Sequence, residues 1–161
     1  MNKFLKVTPL SVVSAIAGVV IVALVGSYFS SMNRDWYARL NTPSWQPPSW
    51  AFPVAWNIIF ILCIVSIILV WNTRPQTGRI YWTIALFALN GVLNVLWSAL
   101  FFGNRMILPA VYDAGALCLS VIAIMIFAWP ISRVGALLLV PYAAWTAFAT
   151  ALTATIYRLN R

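Results

Sequence analysis

Five long stretches almost without charge limit this chain more than any other feature. Val7 to Asn33, Asn41 to Thr73, Ile80 to Asn104 and Val134 to Tyr157 hold no Lys, Arg, Asp or Glu, and Met106 to Ser132 holds a single Asp113. A helix rises about 1.5 Å per residue, so roughly 20 apolar residues cross the bilayer core. In hydrocarbon each backbone polar group must be paired within its own structure, which excludes open sheets. The runs are also too long and continuous for barrel strands. The sequence therefore predicts an all-α integral membrane protein, multi-pass, a bundle of five transmembrane helices. The predicted helices cover about 8–31, 52–72, 80–102, 106–130 and 134–157, in one domain over 1–161, with a first loop at about 32–51.

Composition agrees. Hydrophobic residues make up 63% and charged residues 7% of the chain, against roughly 25% charged in an average soluble domain. The net charge of +8 comes from ten Lys/Arg against two Asp and no Glu. These cations stand singly at the ends of apolar runs, where they anchor to lipid headgroups, so nucleic acid is not an expected partner and membrane lipid is. Lys3, Lys6, Arg74, Arg79 and Arg133 fall on one side, and Arg34, Arg39, Arg105, Arg158 and Arg161 on the other. The balance is even, so the positive-inside rule assigns no orientation. The first run follows Lys3 and Lys6 as a signal peptide would, but exceeds the usual apolar length of one; a retained helix is expected, with a cleaved signal as the minor alternative. With no histidine or glutamate, His-based triads and paired-carboxylate hydrolysis are excluded, and no metal site is expected. Cys63 and Cys118 lie inside apolar runs and read as small hydrophobes.

The first loop contains PSWQPPSW, Pro43 to Trp50. Proline fixes its backbone and forbids regular helix. Polar and aromatic residues inside the spans cluster on the same side. By depth along the helices, Trp56 and Asn57, Asn90, Asn94 and Trp97, Asp113, and Tyr142 and Trp145 all fall in the half beneath this loop. Asn90, Asn94 and Trp97 share one helical stripe, and Tyr142, Trp145 and Ala149 another. Two such stripes facing inward would form an aromatic cavity with amide groups, open towards the first loop, the form of a bundle ligand site. Trp45 and Trp50 would meet either headgroups or the cavity mouth, with the loop as an ordered lid.

Several residues have simpler readings. Trp71, Trp82 and Trp129 lie at the opposite span ends and fit an interfacial belt. Asn90 and Asn94 could be interhelical hydrogen-bond partners or ligand contacts. Asp113 could pair with an arginine such as Arg105, stay neutral by burial, or carry a proton. Pro141 should kink the fifth helix. Leu152, Tyr157 and Arg161 fit a loose cholesterol-contact pattern that is common by chance.

The segment WYARLNTPSWQPPSWAFPVAW resembles the first loop and second helix of the TspO/translocator-protein family, the tryptophan-rich sensory protein and peripheral-type benzodiazepine receptor group. LNVLWSALFFGNR is similar to its third helix, VYDAGAL carries its aspartate at Asp113, and VPYAAWTAFATAL looks like its fifth helix. The resemblance runs from about Trp36 to Leu152. It implies a five-helix bundle, often a homodimer, that binds porphyrins such as protoporphyrin IX, with sterols and synthetic aromatic ligands in some relatives. Its pocket residues carry over to Trp36, Tyr37, Trp56, Asn94, Trp97, Tyr142, Trp145 and Ala149. Breakdown of porphyrin in light, reported for some relatives, would involve Trp56 and Trp145. Thr153 stands where many relatives have asparagine, and Tyr157 where a sterol-binding relative places tryptophan, which weakens the sterol reading. The expected function is tetrapyrrole binding with a sensing or transport role, porphyrin being the ligand and no cofactor required. Photo-oxidative degradation and sterol or lipid transport are the alternatives.

Overall fold

The structure is a computed structural model that describes residues 4–5, 7–74 and 77–161; Lys3 and Lys6 lie outside the described residues. Five spans are long and apolar enough to cross a membrane. The first is α1, Pro9–Ser31. The Thr8 side chain caps it by accepting from the Ser11 backbone N–H at 3.3 Å, and Pro9 takes the first helical position, where no N–H is needed. A short α2, Arg34–Tyr37, begins the loop, and α3, Ala51–Trp71, is the second span. The third is α4, Gly78–Ser98, which runs into a π-helical turn, Ala99–Gly103. The fourth is α5, Ile107–Ala128. The fifth is divided into α6, Arg133–Leu137, and α7, Val140–Leu159. One antiparallel pairing of Phe4–Leu5 with Thr73–Arg74 is added to this helical architecture.

The helices form a ring: α1 packs on α3 and α4, α4 on α5, and α5 on α7, while α3 meets α6 closely and α7 lightly. Core side chains gather at three depths. Phe101, Ala110, Leu152 and Ile156 lie nearest the first loop, Ile59, Val121, Leu139 and Tyr142 at mid-depth, and Val70, Ile80, Ala128 and Ala136 at the far end. Leu24, Ile61, Trp82, Leu119 and Ile126 point outward and are exposed. On a soluble protein such a surface would be an aggregation site, but in a bilayer it is the solvent-matched face. At the far end Trp82 and Trp129 are exposed, and the Arg133 guanidinium sits 5.7 Å from the Trp129 ring centroid. That is the arrangement of an interfacial belt with a cation–π contact.

Two spans depart from plain helix for identifiable reasons. Pro141 lies in the first turn of α7, where the carbonyl of Leu137 finds no N–H from it; the break at Leu138 and Leu139 falls there. Ser132 caps α6 by accepting from the Gly135 N–H at 3.1 Å, and Ser66 Oγ donates to the Gly135 carbonyl at 2.8 Å, tying α3 to α6. In the third span Asn104 N–H reaches the Ala99 carbonyl at 2.8 Å and Met106 N–H the Leu100 carbonyl at 2.8 Å. These widened turns rotate Phe101 inward, where it is buried.

A candidate ligand cavity under the first loop

The loop is ordered by contacts at both ends. Asn33 adopts a left-handed backbone with φ of 51°, a conformation asparagine tolerates better than most residues. Its Nδ2 donates to the carbonyls of Phe102 at 2.6 Å and Gly103 at 3.2 Å, and Arg105 Nη2 donates to its Oδ1. The loop thus satisfies carbonyls that the end of the π turn leaves open. A Cβ on Gly103 would approach Phe29 Cδ1 to 3.1 Å, so the close passage of α1 favours glycine there. Further on, Asn41 N–H donates to Asn160 Oδ1 at 2.9 Å, and Asn160 Nδ2 donates to the Asn41 carbonyl at 2.8 Å. The PSWQPPSW stretch is a pair of turns, with Gln46 N–H to the Pro43 carbonyl at 3.0 Å and Ala51 N–H to the Pro48 carbonyl at 2.9 Å. Trp45 closes onto Phe148 edge-to-face at 5.8 Å.

Beneath the loop is a cavity of about 820 Å³, within the range of small-molecule sites. Tyr37, Trp56, Asn94, Trp97, Trp145 and Ala149 of the expected residues line it, as does Leu152. The aromatic walls are fixed by neighbours that are themselves aromatic. Trp97 stacks on Phe101 at 5.2 Å with 11° between the planes. Trp56 meets Tyr142 edge-to-face at 6.0 Å, and Trp145 meets Phe52 in the same way at 5.8 Å. Rings held in this way present their faces without further ordering on binding. Burial raises the Tyr37 phenol above its ordinary value, and a hydrogen bond with Gln46 works against that rise.

Other expected residues stand behind the wall or outside it. Trp36 packs edge-to-face on Phe101 at 5.7 Å and supports the wall without lining it. Asn90 and Tyr142 belong to a buried network: Tyr142 Oη donates to Asn90 Oδ1 at 2.9 Å, and Asn90 Nδ2 donates to Ser120 Oγ at 2.8 Å. Asn94 Nδ2 reaches Tyr142 Oη at 3.4 Å, so Asn94 joins this network to the cavity. Of the two readings of Asn90, the interhelical one describes its position. Asp113 is buried on α5, and its Oδ2 has no hydrogen-bond partner. The pairing with Arg105 is not made, because Arg105 turns to Asn33. Asp113 also lies outside the cavity lining. Trp50 is 66% exposed and Trp45 is half-exposed, and neither lines the cavity. Tyr157 and Arg161 of the sterol pattern do not share a cavity wall with Leu152. The first loop lies over the cavity, and Gln46 and Ser49 of its Pro/Trp segment contribute to the lining.

The residues that sequence reasoning missed come chiefly from α1. Ser27 and Ser30 of α1 line the cavity together with the tryptophans, as does Arg34 of α2. Gly26 of α1 lies over α4, where a Cβ would make ordinary contact with Ser98 Oγ at 3.7 Å and Asn94 Oδ1 at 3.8 Å. Among the described residues no cluster of His, Cys, Asp or Glu could hold a metal ion.

Comparison with known proteins gives a consistent picture. The TspO/MBR family model matches residues 15–158. The chain is 36% identical over 140 residues to the tryptophan-rich protein TspO of Chlorobaculum tepidum, covering 86% of this chain and 89% of that one. It is 35% identical over 153 residues to the tryptophan-rich protein TspO of Archaeoglobus fulgidus, covering 94% and 97%. It is 32% identical over 138 residues to the translocator protein of Homo sapiens, covering 84% and 82%.

Proposed function

The chain belongs to the TspO/MBR family of multi-pass membrane proteins, and on that premise we propose that it binds a tetrapyrrole of the protoporphyrin IX type beneath its first loop, in a sensing or transport role. The observation that carries this reading is the cavity of about 820 Å³ with Trp56, Trp97 and Trp145 in its walls. A flat apolar macrocycle gains most from fixed aromatic faces. The Asn94 amide and the Arg34 guanidinium, both on the lining, suit the polar edge that such a ring carries. The chain contains no histidine, the usual strong axial ligand for haem iron, so a metal-free porphyrin is the better fit. Assembly as a homodimer belongs to the same proposal and is read by the mass of the protein in detergent.

Tryptophan fluorescence tests the reading. Protoporphyrin IX should quench the wild-type protein saturably, and Trp56→Ala with Trp145→Ala should weaken binding by about tenfold or more, as loss of two stacking contacts implies. Unchanged affinity in the double variant would remove the pocket assignment.

A second reading, breakdown of the bound porphyrin in light and oxygen, rests on one observation: Trp56 and Trp145 line the same cavity. Illumination should bleach the main porphyrin band faster with protein than in empty detergent. Equal rates would set this reading aside.

A further inference from the structure

The end of the bundle away from the first loop carries cations without counter-charge. The chain has only two acidic side chains, Asp35 and Asp113. Asp35 lies on α2 in the first loop, and Asp113 lies on α5 about two turns from its loop end. Arg79 and Arg133 stand at the opposite end, where α4 and α6 begin. Both are exposed, and among the described residues neither guanidinium makes an ion pair. Each lies instead over a ring at the end of α5, Arg79 over Phe127 and Arg133 over Trp129, both at 5.7 Å from the centroid. A ring face attracts the cation and holds the planar guanidinium in place, while its N–H donors stay available to an anion.

The two arginines differ in what stands beside them. Phe127 and Trp129 are two residues apart, so they do not share a helix face. Beside Arg133 is a recess of about 460 Å³ walled by Trp129, Pro130, Ile131 and Arg133. Arg79 is not on its wall. The recess lies in the turn between α5 and α6, where a span ends, and so at the headgroup level of the bilayer. The turn is fixed from within. The N–H groups of Ile131 and Ser132 donate to the Ala128 carbonyl at 2.9 and 2.8 Å, and Ile131 packs in the far core with Val70 and Ile80. A site built in this way needs little ordering when it is filled. Its wall joins one cation to a half-exposed indole and two apolar residues. The molecule that matches it carries a phosphate for the guanidinium and carbon chains for the indole and Ile131.

We propose that this recess is a phospholipid site selective for an anionic headgroup, phosphatidylglycerol being the simplest, in which Arg133 binds the phosphate and Trp129 holds Arg133 in position. The site is separate from the cavity under the first loop and does not depend on what that cavity binds. An interfacial belt attracts anionic lipid collectively. A site holds one lipid and depends on one arginine more than on its neighbour.

The experiment uses the full chain in uncharged detergent, titrated with phosphatidylglycerol or phosphatidylcholine, with retained lipid counted by native mass spectrometry. The wild type should retain one phosphatidylglycerol, with a Kd about tenfold below that for phosphatidylcholine. Arg133→Gln should raise the Kd for phosphatidylglycerol about tenfold, as loss of a charge-assisted hydrogen bond implies, and should bring the two lipids within about twofold of each other. Trp129→Leu keeps the charge and should raise the Kd about two- to fivefold, as loss of a cation–π contact implies. Arg79→Gln removes the same charge at the same end and should change the Kd by less than about twofold. All three side chains are exposed, so these substitutions leave the core intact. Equal losses in Arg79→Gln and Arg133→Gln would reveal a diffuse belt and overturn the site. Equal affinity of the wild type for the two lipids, or no retained lipid, would overturn it as well. Displacement of the lipid by inorganic phosphate at equal concentration would assign the recess to a free anion and overturn the lipid reading.

Discussion

At the scale of single residues, one helical stripe does two jobs. Asn90, Asn94 and Trp97 are spaced to share a face, and the sequence shows this plainly. Their fates differ because depth differs. A turn deeper, α4, α5 and α7 close on one another, and Asn90 bonds Tyr142 and Ser120. A turn higher the helices stand apart, and Asn94 and Trp97 meet the cavity. No spacing rule reports where that separation begins. Tyr142→Phe should therefore cost about 1–3 kcal/mol, leaving buried amide groups without their partner, and should move ligand affinity little. Thermal unfolding and fluorescence titration on the same sample check the two halves of this statement. Asp113 gave the opposite lesson. A lone aspartate and a nearby Arg105 suggest a pair, but a backbone-capping asparagine takes the arginine. Tyr37 supplies a pH dependence. Its phenol is raised from an ordinary value of 10.0, so the folded state favours the neutral form. Stability from this group is complete below pH 10 and is lost as pH rises through the raised value. The tyrosinate absorbance of Tyr37→Phe should differ from wild type only in the alkaline limb.

At the scale of elements, the π turn and the loop define each other. The sequence marks both regions, one by its prolines and tryptophans and the other by Phe101, Phe102 and Gly103. It does not reveal that Asn33 reaches across 69 residues to hold the turn open, because a long-range side-chain cap has no local pattern. Asn33→Ala should free the loop, and trypsin should then cut after Arg34 or Arg39 about tenfold faster, as a local opening cheaper by about 1.4 kcal/mol implies. Gel electrophoresis of a timed digest measures it. Packing between α1 and α4 depends on Gly91. A Cβ on Gly91 would meet Val22 Cγ2 at 3.0 Å, so the helices touch where side chains are smallest. Gly91→Leu should separate them and lower the unfolding temperature in detergent, whereas Gly18→Leu, where a Cβ would meet nothing within 4 Å, should not.

At the scale of the whole molecule, the five spans were legible because charge punctuates the chain and hydrocarbon tolerates few alternatives. The half-membrane position of the aromatic residues was legible too, from depth alone. The contribution of α1 was not. Ser27 and Ser30 carry no aromatic or charge signal, and serines near a span end are ordinary. Only their place in the same cavity lining as Trp97 and Trp145 gives them meaning. The fastening of α1 to α3 by Asn72 was equally silent, although Asn72 is almost wholly buried. Asn72→Leu should cost about 1–3 kcal/mol, since it strands the Thr8 and Ser11 groups, and hydrogen exchange in α1 should rise more than in α5. The clasp between Asn41 and Asn160 spans 119 residues, and a chain is made in one direction. At roughly 5–20 residues per second, Asn41 waits about 6 to 24 s for its partner. For that interval the newborn bundle has walls without a roof, and the cavity becomes a closed compartment only when the last helix arrives.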